Sequence, residues 1–418
     1  MNKQEKIARY AYKKSVFYRD YISCGENTDS EDFEFEKLPV VSKDDIVESH
    51  LPLTPVEYFL KGDRGVVKMS TSGSTGKILK IDWNKKDFLI SMTSLWQYRR
   101  KYYDINTWDK MCYFYTIRIL GNQETMETED RNTLGFSKTS LNEQRLKEIY
   151  TRMLEYEPKW LLLQPSTAGM LIDTALKCGL NSIESVKYIE LTGEMLTDEL
   201  RRKLEGFFSC KVANQYGSYE FNSIAYECPY GNMHIMSENV YVEVMEEDGQ
   251  VHKIEENSYD EQREKDLIIT SLTNNRTPFI RYRIGDRGIV TDKVKCRCGN
   301  HAPVIKLTVG RSHNYIECED GTRINAYIFP RAIENVNHIL DDVVKQFQVI
   351  QRGINDFLVR LYIDDRSLIS AIKEIFEANI LEESLKNAYF EYSFEDEYIK
   401  DKMGDKLMFF RNEKNILA

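Results

Sequence analysis

Ser70-Thr71-Ser72-Gly73-Ser74-Thr75-Gly76-Lys77 is the segment of this chain best equipped for chemistry. It holds two glycines, one lysine and otherwise only hydroxyl residues, and it follows the apolar Val66 and Val67. Backbone N–H groups beside glycine, hydroxyls and an ammonium together suit the oxygens of a polyphosphate. The loop is not a Walker A motif, because its glycines are three apart and no Ser or Thr follows Lys77. The plainer alternative is a polar surface loop.

Two further motifs, Tyr188-Ile189-Glu190-Leu191-Thr192-Gly193-Glu194 and Asn214-Gln215-Tyr216-Gly217-Ser218-Tyr219-Glu220, read as the ends of buried strands. Open α/β sheets take their ligands outside such strand ends. A tyrosine there can stack on a purine, and a nearby carboxylate can hold the Mg2+ that accompanies a nucleotide. In Arg281-Tyr282-Arg283-Ile284-Gly285-Asp286 the aspartate follows a glycine and reads as a turn residue. Its carboxylate can accept two hydrogen bonds from a vicinal diol such as a ribose. Otherwise it is an ordinary turn, with the arginines on a strand face. Gly310-Arg311 follows 24 residues after Asp286.

Cys228-Pro229-Tyr230-Gly231-Asn232-Met233-His234 supplies a Cys/His pair, and Cys296-Arg297-Cys298-Gly299 a Cys-x-Cys on a turn. Three thiolates and one imidazole make the closed tetrahedral set of a structural Zn2+ site, with no open position for catalysis. Four unrelated residues are the alternative. Cys24, Cys112, Cys178, Cys210 and Cys318 stand alone and read as small, packed thiols. His50, His252, His301, His313 and His338 show no ligand spacing.

The elements that must position these residues alternate through the middle of the chain. Ser140 and Glu143 have capping-box spacing ahead of Leu146, Ile149, Tyr150, Met153 and Leu154 on one helical face. Pro158 closes that helix, and Trp160 to Leu163 suits a buried strand. A helix from about Thr167 to Lys177 follows, closed by Gly179, then a strand from Lys187 to Leu191. Next come a helix capped by Thr197, carrying Leu200, Leu204 and Phe207, and a strand from Lys211 to Gln215. Such repetition predicts a parallel sheet covered by helices. After about residue 230 the pattern turns to alternating strands, as in Val240, Val242 and Val244, with a turn at Asp248-Gly249. The last hundred or so residues read as a small α+β unit. Phe357 to Ile363 alternates as a strand, Leu368 to Phe376 marks a helix face, and Ala388 to Phe394 alternates again. The predicted fold is α/β. A large N-terminal domain, 1–309, holds helix-covered sheets plus the β-rich section, and a small α+β C-terminal domain covers 310–418.

The chain has 418 residues, 57 Lys+Arg against 67 Asp+Glu, and 42% apolar residues. It shows no basic face for nucleic acid. The N-terminus, with Lys3, Lys6, Arg9, Lys13 and Lys14, lacks the apolar core of a secretory signal, and no apolar run is long enough to span a bilayer. A cytoplasmic protein is expected.

Taken in order, these motifs resemble the acyl-adenylate-forming superfamily of acyl-CoA synthetases, peptide-synthetase adenylation domains and luciferases. Within it the likeness is to the phenylacetate–CoA ligase family and its capsular-biosynthesis relatives. Tyr10-Ala11, Ser15 to Arg19 and Leu38-Pro39-Val40-Val41-Ser42-Lys43-Asp44 are similar to that family's opening segments. The likeness runs from about Ala8 to Phe409-Phe410-Arg411.

The resemblance implies roles. Thr71, Ser72, Gly73, Ser74, Thr75, Gly76 and Lys77 would close over the β- and γ-phosphates of ATP. Gly193, Glu194, Asn214, Gln215, Tyr216 and Gly217 would line the adenine, Glu220 would support Mg2+, and Asp286 would grip the ribose. Arg311 would sit beside the nucleotide at the interdomain hinge. The family's catalytic lysine, carried by a mobile small domain, corresponds to Lys406 in Met403-Gly404-Asp405-Lys406-Leu407. Two departures stand out: Ile78-Leu79 after Lys77, and Ser312-His313-Asn314 where an aspartate pair is usual, which leaves the acceptor open. The implied reaction joins a small carboxylic acid and ATP as an acyl-adenylate with release of pyrophosphate. A thiol, expected to be coenzyme A, then takes the acyl group. Alternatives are transfer to a carrier protein or an amine, or a non-catalytic nucleotide-binding homologue. Tyr113 to Thr116, Pro165 to Gly169 and the Gly217 region would wall the acid pocket.

Overall fold

The computed structural model describes residues 2–21, 33–61, 65–71, 79–115, 119–120, 123–138, 141, 143–194, 196, 198–254, 263–309, 315–319, 323–326, 328–341, 343–363, 365–381, 385, 387–396, 399 and 409–413. The candidates Ser72 to Lys77, Arg311 and Lys406, and the cap residues Ser140 and Thr197, lie outside them.

Val66–Thr71 (β1) pairs antiparallel with Leu79–Asn84 (β2), from Val66 opposite Asn84 to Thr71 opposite Leu79. Thr71 is therefore the last residue of a strand, at the foot of the candidate phosphate loop. The helix Lys85–Tyr103 (α1) follows directly.

Five strands run parallel: Met111–Tyr115 (β3), Thr133–Ser137 (β4), Trp160–Leu163 (β5), Tyr188–Thr192 (β6) and Lys211–Ser218 (β7). Their spatial order is β4-β3-β5-β6-β7. Glu143–Tyr156 (α2), Pro165–Lys177 (α3) and Asp198–Phe208 (α4) alternate with the strands. Leu146, Ile149, Tyr150 and Met153 of α2 are buried at the spacing of one helical face. They share a core with Leu161, Ile172, Ile189, Leu204 and Val212. The apolar run of β5 is continuous because sheets of this kind bury both faces. Helix α3 begins at Pro165, whose fixed φ and missing N–H suit a first helical position.

The same sheet continues antiparallel through Asn222–Glu227 (β8), Met233–Ile235 (β9), Val240–Met245 (β10), Lys265–Ser271 (β11), Tyr282–Thr291 (β12) and Val304–Val309 (β13). Fourteen strands of the described residues join in it, with β7-β8-β9-β13-β12-β11-β10 as the continuing order. A β-rich section after about residue 230 is what alternation at Val240 to Val244 predicts, and Val240, Val242 and Val244 are buried.

The first residues are tied into the far half of this sheet. Val41 and Ser42 pair in parallel with Tyr282 and Arg283. Tyr18 Oη donates to the Pro278 carbonyl at 3.1 Å and accepts from the Ile280 N–H at 3.0 Å. Arg281 is buried, ion-paired to Glu243 at 3.1 Å, and donates to the carbonyls of Glu36 and Leu38. The Arg281 guanidinium therefore serves the fold.

Helices Ile328–Ile339 (α5) and Ile369–Leu381 (α6) share a further core with a separate sheet. That sheet has the order β16-β15-β14-β17, from Val344–Gly353 (β14), Asp356–Ile363 (β15), Tyr389–Glu395 (β16) and Phe410–Asn412 (β17). Phe357, Val359, Leu361 and Ile363 point into that core, as their alternation predicts. Among the described residues, no helix is long and apolar enough to cross a membrane.

Candidate functional site

The parallel strands reverse their order between β3 and β5. The crevice outside the carboxyl ends at such a switch point is where open α/β sheets bind ligands. Gly193 and Glu194 follow the end of β6 there, Gly193 with φ +86° and exposed, Glu194 half-buried. Two residues unmarked by the sequence stand beside them. Gln164, directly after β5, packs its side chain on Gly193, and Lys138, directly after β4, donates from Nζ to Gln164 Oε1. Their sequence signal is only position: each is the first long polar residue past an apolar strand.

Asn214 to Gly217 lie within a strand, because β7 runs on to Ser218 and does not stop at Gln215. The extension comes from pairing with β8, whose register shifts between Tyr216 and Gly217. At that bulge a Cβ on Gly217 would sit 2.2 Å from the Asn222 carbonyl oxygen, so only glycine fits. Gln215 turns inward and donates from Nε2 to Ser223 Oγ at 2.7 Å. The Asn214 N–H donates to Glu227 Oε2 at 2.6 Å.

Asp286 also differs from its expected setting. It is not in a turn but inside the continuous strand β12, where a bulge places three residues opposite Leu267. The bulge aims its half-buried carboxylate at Tyr216, whose Oη donates to Asp286 Oδ2 at 2.8 Å. Residues from two motifs 70 apart thus meet side chain to side chain. A carboxylate has about four lone-pair sites, of which this bond takes one. Glu220, in the connection from β7 to β8, is buried at 6% exposure. Burial, with the Glu220 and Asp286 carboxylates nearby, pushes the phenol of Tyr282 well above its ordinary value.

Behind β6, Glu190 is fully buried in an ion pair with Arg99 of α1, at 2.5 and 2.8 Å. Tyr226 Oη and Tyr188 Oη donate to the same carboxylate at 2.8 and 3.2 Å. Partners 91 residues apart left no local signal. With its hydrogen-bonding sites filled, the pair pins α1 to the strand that ends at Gly193.

The four metal-ligand candidates converge. The ligand atoms of Cys228, His234, Cys296 and Cys298 all lie within 4.8 Å of one another. Cys228 Sγ is 3.6 Å from Cys296 Sγ, and Cys298 Sγ is 3.3 Å from His234 Nε2. Tetrahedral zinc with Zn–S near 2.3 Å sets sulfurs about 3.8 Å apart, so the set fits. Gly231 and Gly299 have φ +78° and +75°, closing the tight turns that present Cys228 and Cys296. His234 Nδ1 faces the Ala302 carbonyl at 3.1 Å, the partner that leaves Nε2 for a metal. Burial raises the Cys296 thiol, but hydrogen bonds from the Cys298 backbone, His234, Cys298 and Asn232 outweigh it and bring it down to about 6. Burial pushes Cys228 up to about 12.

No protein-family model matches the chain. Protein CapK of Staphylococcus aureus is 24% identical over 387 residues, 88% of this chain and 80% of that protein. A phenylacetate–coenzyme A ligase of Thermus thermophilus is 23% identical over 258 residues, 60% of this chain and 54% of that one. Another from Pseudomonas putida is 22% identical, and the chain spans 63% of its length. Among solved structures, 2-hydroxyisobutyryl-CoA ligase with its acyl-AMP and coenzyme A has a TM-score of 0.63 at 16% identity, covering 98% of this chain and 88% of that one. The fold is thus that of adenylate-forming ligases. By sequence the chain is similar to Protein CapK and to phenylacetate–coenzyme A ligases, relatives at 22–24% identity.

Proposed function

We propose that this protein activates a small carboxylic acid with ATP, releasing pyrophosphate, and passes the acyl group from the adenylate to a thiol, coenzyme A. The observation that carries the reading is the contact of Tyr216 with Asp286 at 2.8 Å, beside the carboxyl end of β6. It brings a tyrosine and a carboxylate from two distant motifs together, and we read the pair as serving the base and the ribose. The similarity to phenylacetate–coenzyme A ligases supports the choice of acceptor.

In this reading Asp286 orients the ribose, and Gly193, Glu194 and the β7 segment line the base. Thr71 and residues Ser72 to Lys77 hold the phosphates. Glu220 would hold Mg2+, which neutralises phosphate charge when bound. The acid is already ionised, so no general base is required. Attack on the α-phosphorus gathers negative charge, and Lys406 is assigned to stabilise it. Residues 1–309 form the nucleotide-binding domain, and 310–418 the small domain that brings Lys406 in, with Arg311 beside the hinge. Carboxylate-dependent ATP–pyrophosphate exchange tests the first half-reaction, and coenzyme A-dependent AMP release the second. Exchange with no acid in a broad panel would support a nucleotide-binding role without catalysis. AMP release driven only by a carrier-protein thiol or an amine would replace coenzyme A.

The Cys228/His234/Cys296/Cys298 set is assigned to one structural zinc, stapling the β8–β9 turn to the segment before β13. Elemental analysis is expected to find about one zinc per chain. Cys296→Ser should lower the melting temperature by several degrees, because metal binding adds directly to folding stability. Metal-free protein of equal stability, or thiols of Cys228 and Cys298 that titrate rapidly in the native state, would refute the assignment.

A further inference from the structure

Cys228 follows Glu227, the last residue of β8. The Glu227 carboxylate is buried at 7% exposure and holds three elements together. It accepts the Asn214 N–H of β7 at 2.6 Å, and both its oxygens accept from Arg201 Nη2 of α4 at 2.8 Å. Arg201 Nη1 in turn donates to the Val212 carbonyl of β7 at 2.7 Å. The Glu227 carbonyl accepts from Tyr103 Oη at 2.8 Å, and the neighbouring Tyr102 Oη faces Cys298 Sγ at 3.6 Å. A second connection runs through the strands: His234 is opposite Tyr226, and Tyr226 is opposite Gln215. The thiol–imidazole cluster is thus one residue from the side chain that fixes the backbone of the Asn214 to Gly217 segment.

We propose that Glu227 is a positioning residue that couples metal occupancy of the Cys228/His234/Cys296/Cys298 cluster to the nucleotide-binding geometry of Asn214 to Gly217. The proposal rests on the nucleotide and metal assignments above. With metal bound, the end of β8 is held and Glu227 keeps β7 in its register at Asn214. Without metal, the turn at Cys228 is released and the carboxylate loses its fixed origin. Coupling of binding free energies is reciprocal, so nucleotide must tighten the metal site by the factor by which metal tightens the nucleotide site.

The test uses the full chain loaded with zinc or with cobalt. ATP affinity is measured by calorimetry on zinc-loaded and chelator-stripped protein, and zinc affinity by chelator competition with and without ATP. In wild type both should change by the same factor, about 5-fold or more. In the cobalt form, ATP should shift the ligand-field absorption. Glu227→Ala should keep one metal per chain yet lose the reciprocal effect and the spectral shift. Glu227→Gln, which keeps an acceptor for Asn214 but loses the charge for Arg201, should restore part of both. This graded recovery, read on metal-loaded protein, separates positioning from loss of folding. Equal ATP affinity in loaded and stripped wild type, or coupling that survives in Glu227→Ala, overturns the proposal and leaves the function standing. Wild type that binds no ATP, or no stoichiometric metal, overturns the underlying assignment and the proposal with it.

Discussion

Lys406→Ala is expected to lose most acyl-adenylate formation while ATP affinity stays nearly unchanged. The physical reason is that carboxylate attack on the α-phosphorus concentrates negative charge that is absent in the bound ground state. A cation placed for that charge stabilises the transition state selectively, so its loss appears in the catalytic rate. Removing one preorganised contact of this kind costs about 10²–10³ in rate. Single-turnover formation of acyl-AMP, with separate measurement of ATP binding, checks the split. Adenylation at near wild-type rate in the variant would exclude Lys406 as the catalytic lysine. Loss confined to ATP affinity would make it a binding residue.

Asp286→Ala should raise the Michaelis constant for ATP at least about 10-fold. Hydrogen bonds to a charged group contribute roughly 1.5–3 kcal/mol each, and a vicinal diol makes two, which are not additive. Tyr216→Phe is the informative control, since it removes the bond at 2.8 Å and leaves the carboxylate in place. It should cost far less if Asp286 acts on the ribose directly. An unchanged Michaelis constant in Asp286→Ala would remove the residue from the ribose site. Equal losses in both variants would mean that Asp286 serves mainly to hold Tyr216.

The sequence made the alternating elements and the metal-ligand set legible for a simple reason. Periodic burial at Leu146, Ile149, Tyr150 and Met153, and short Cys/His spacings around glycine turns, are local properties. What stayed hidden depends on partners far along the chain. Asp286 reads as a turn residue because it follows Gly285. Its segment is a bulged strand only because β11 and β13 flank it. Strand β7 continues past Gln215 because β8 supplies hydrogen bonds beyond that point. Glu227 carries no local sequence signal, and its importance arises from Asn214 and Arg201 together. Lys138 and Gln164 meet only because β4 and β5 both flank β3.

The pairing of Val41 with Tyr282 also bears on how the protein is made. As the chain leaves the ribosome, the N-terminal segment has no sheet to join until residues near 282 have been synthesised. At 5–20 residues per second that delay is roughly 10–50 s. Through it, the apolar Phe17, Tyr18, Phe35 and Leu38, all buried in the finished fold, lack the partners that Ile269, Phe279, Ile280 and Tyr282 supply to the same core. The same interval gives the parallel strands from β3 to β7 time to assemble first, so the nascent chain builds its parallel half before the N-terminal segment joins the sheet.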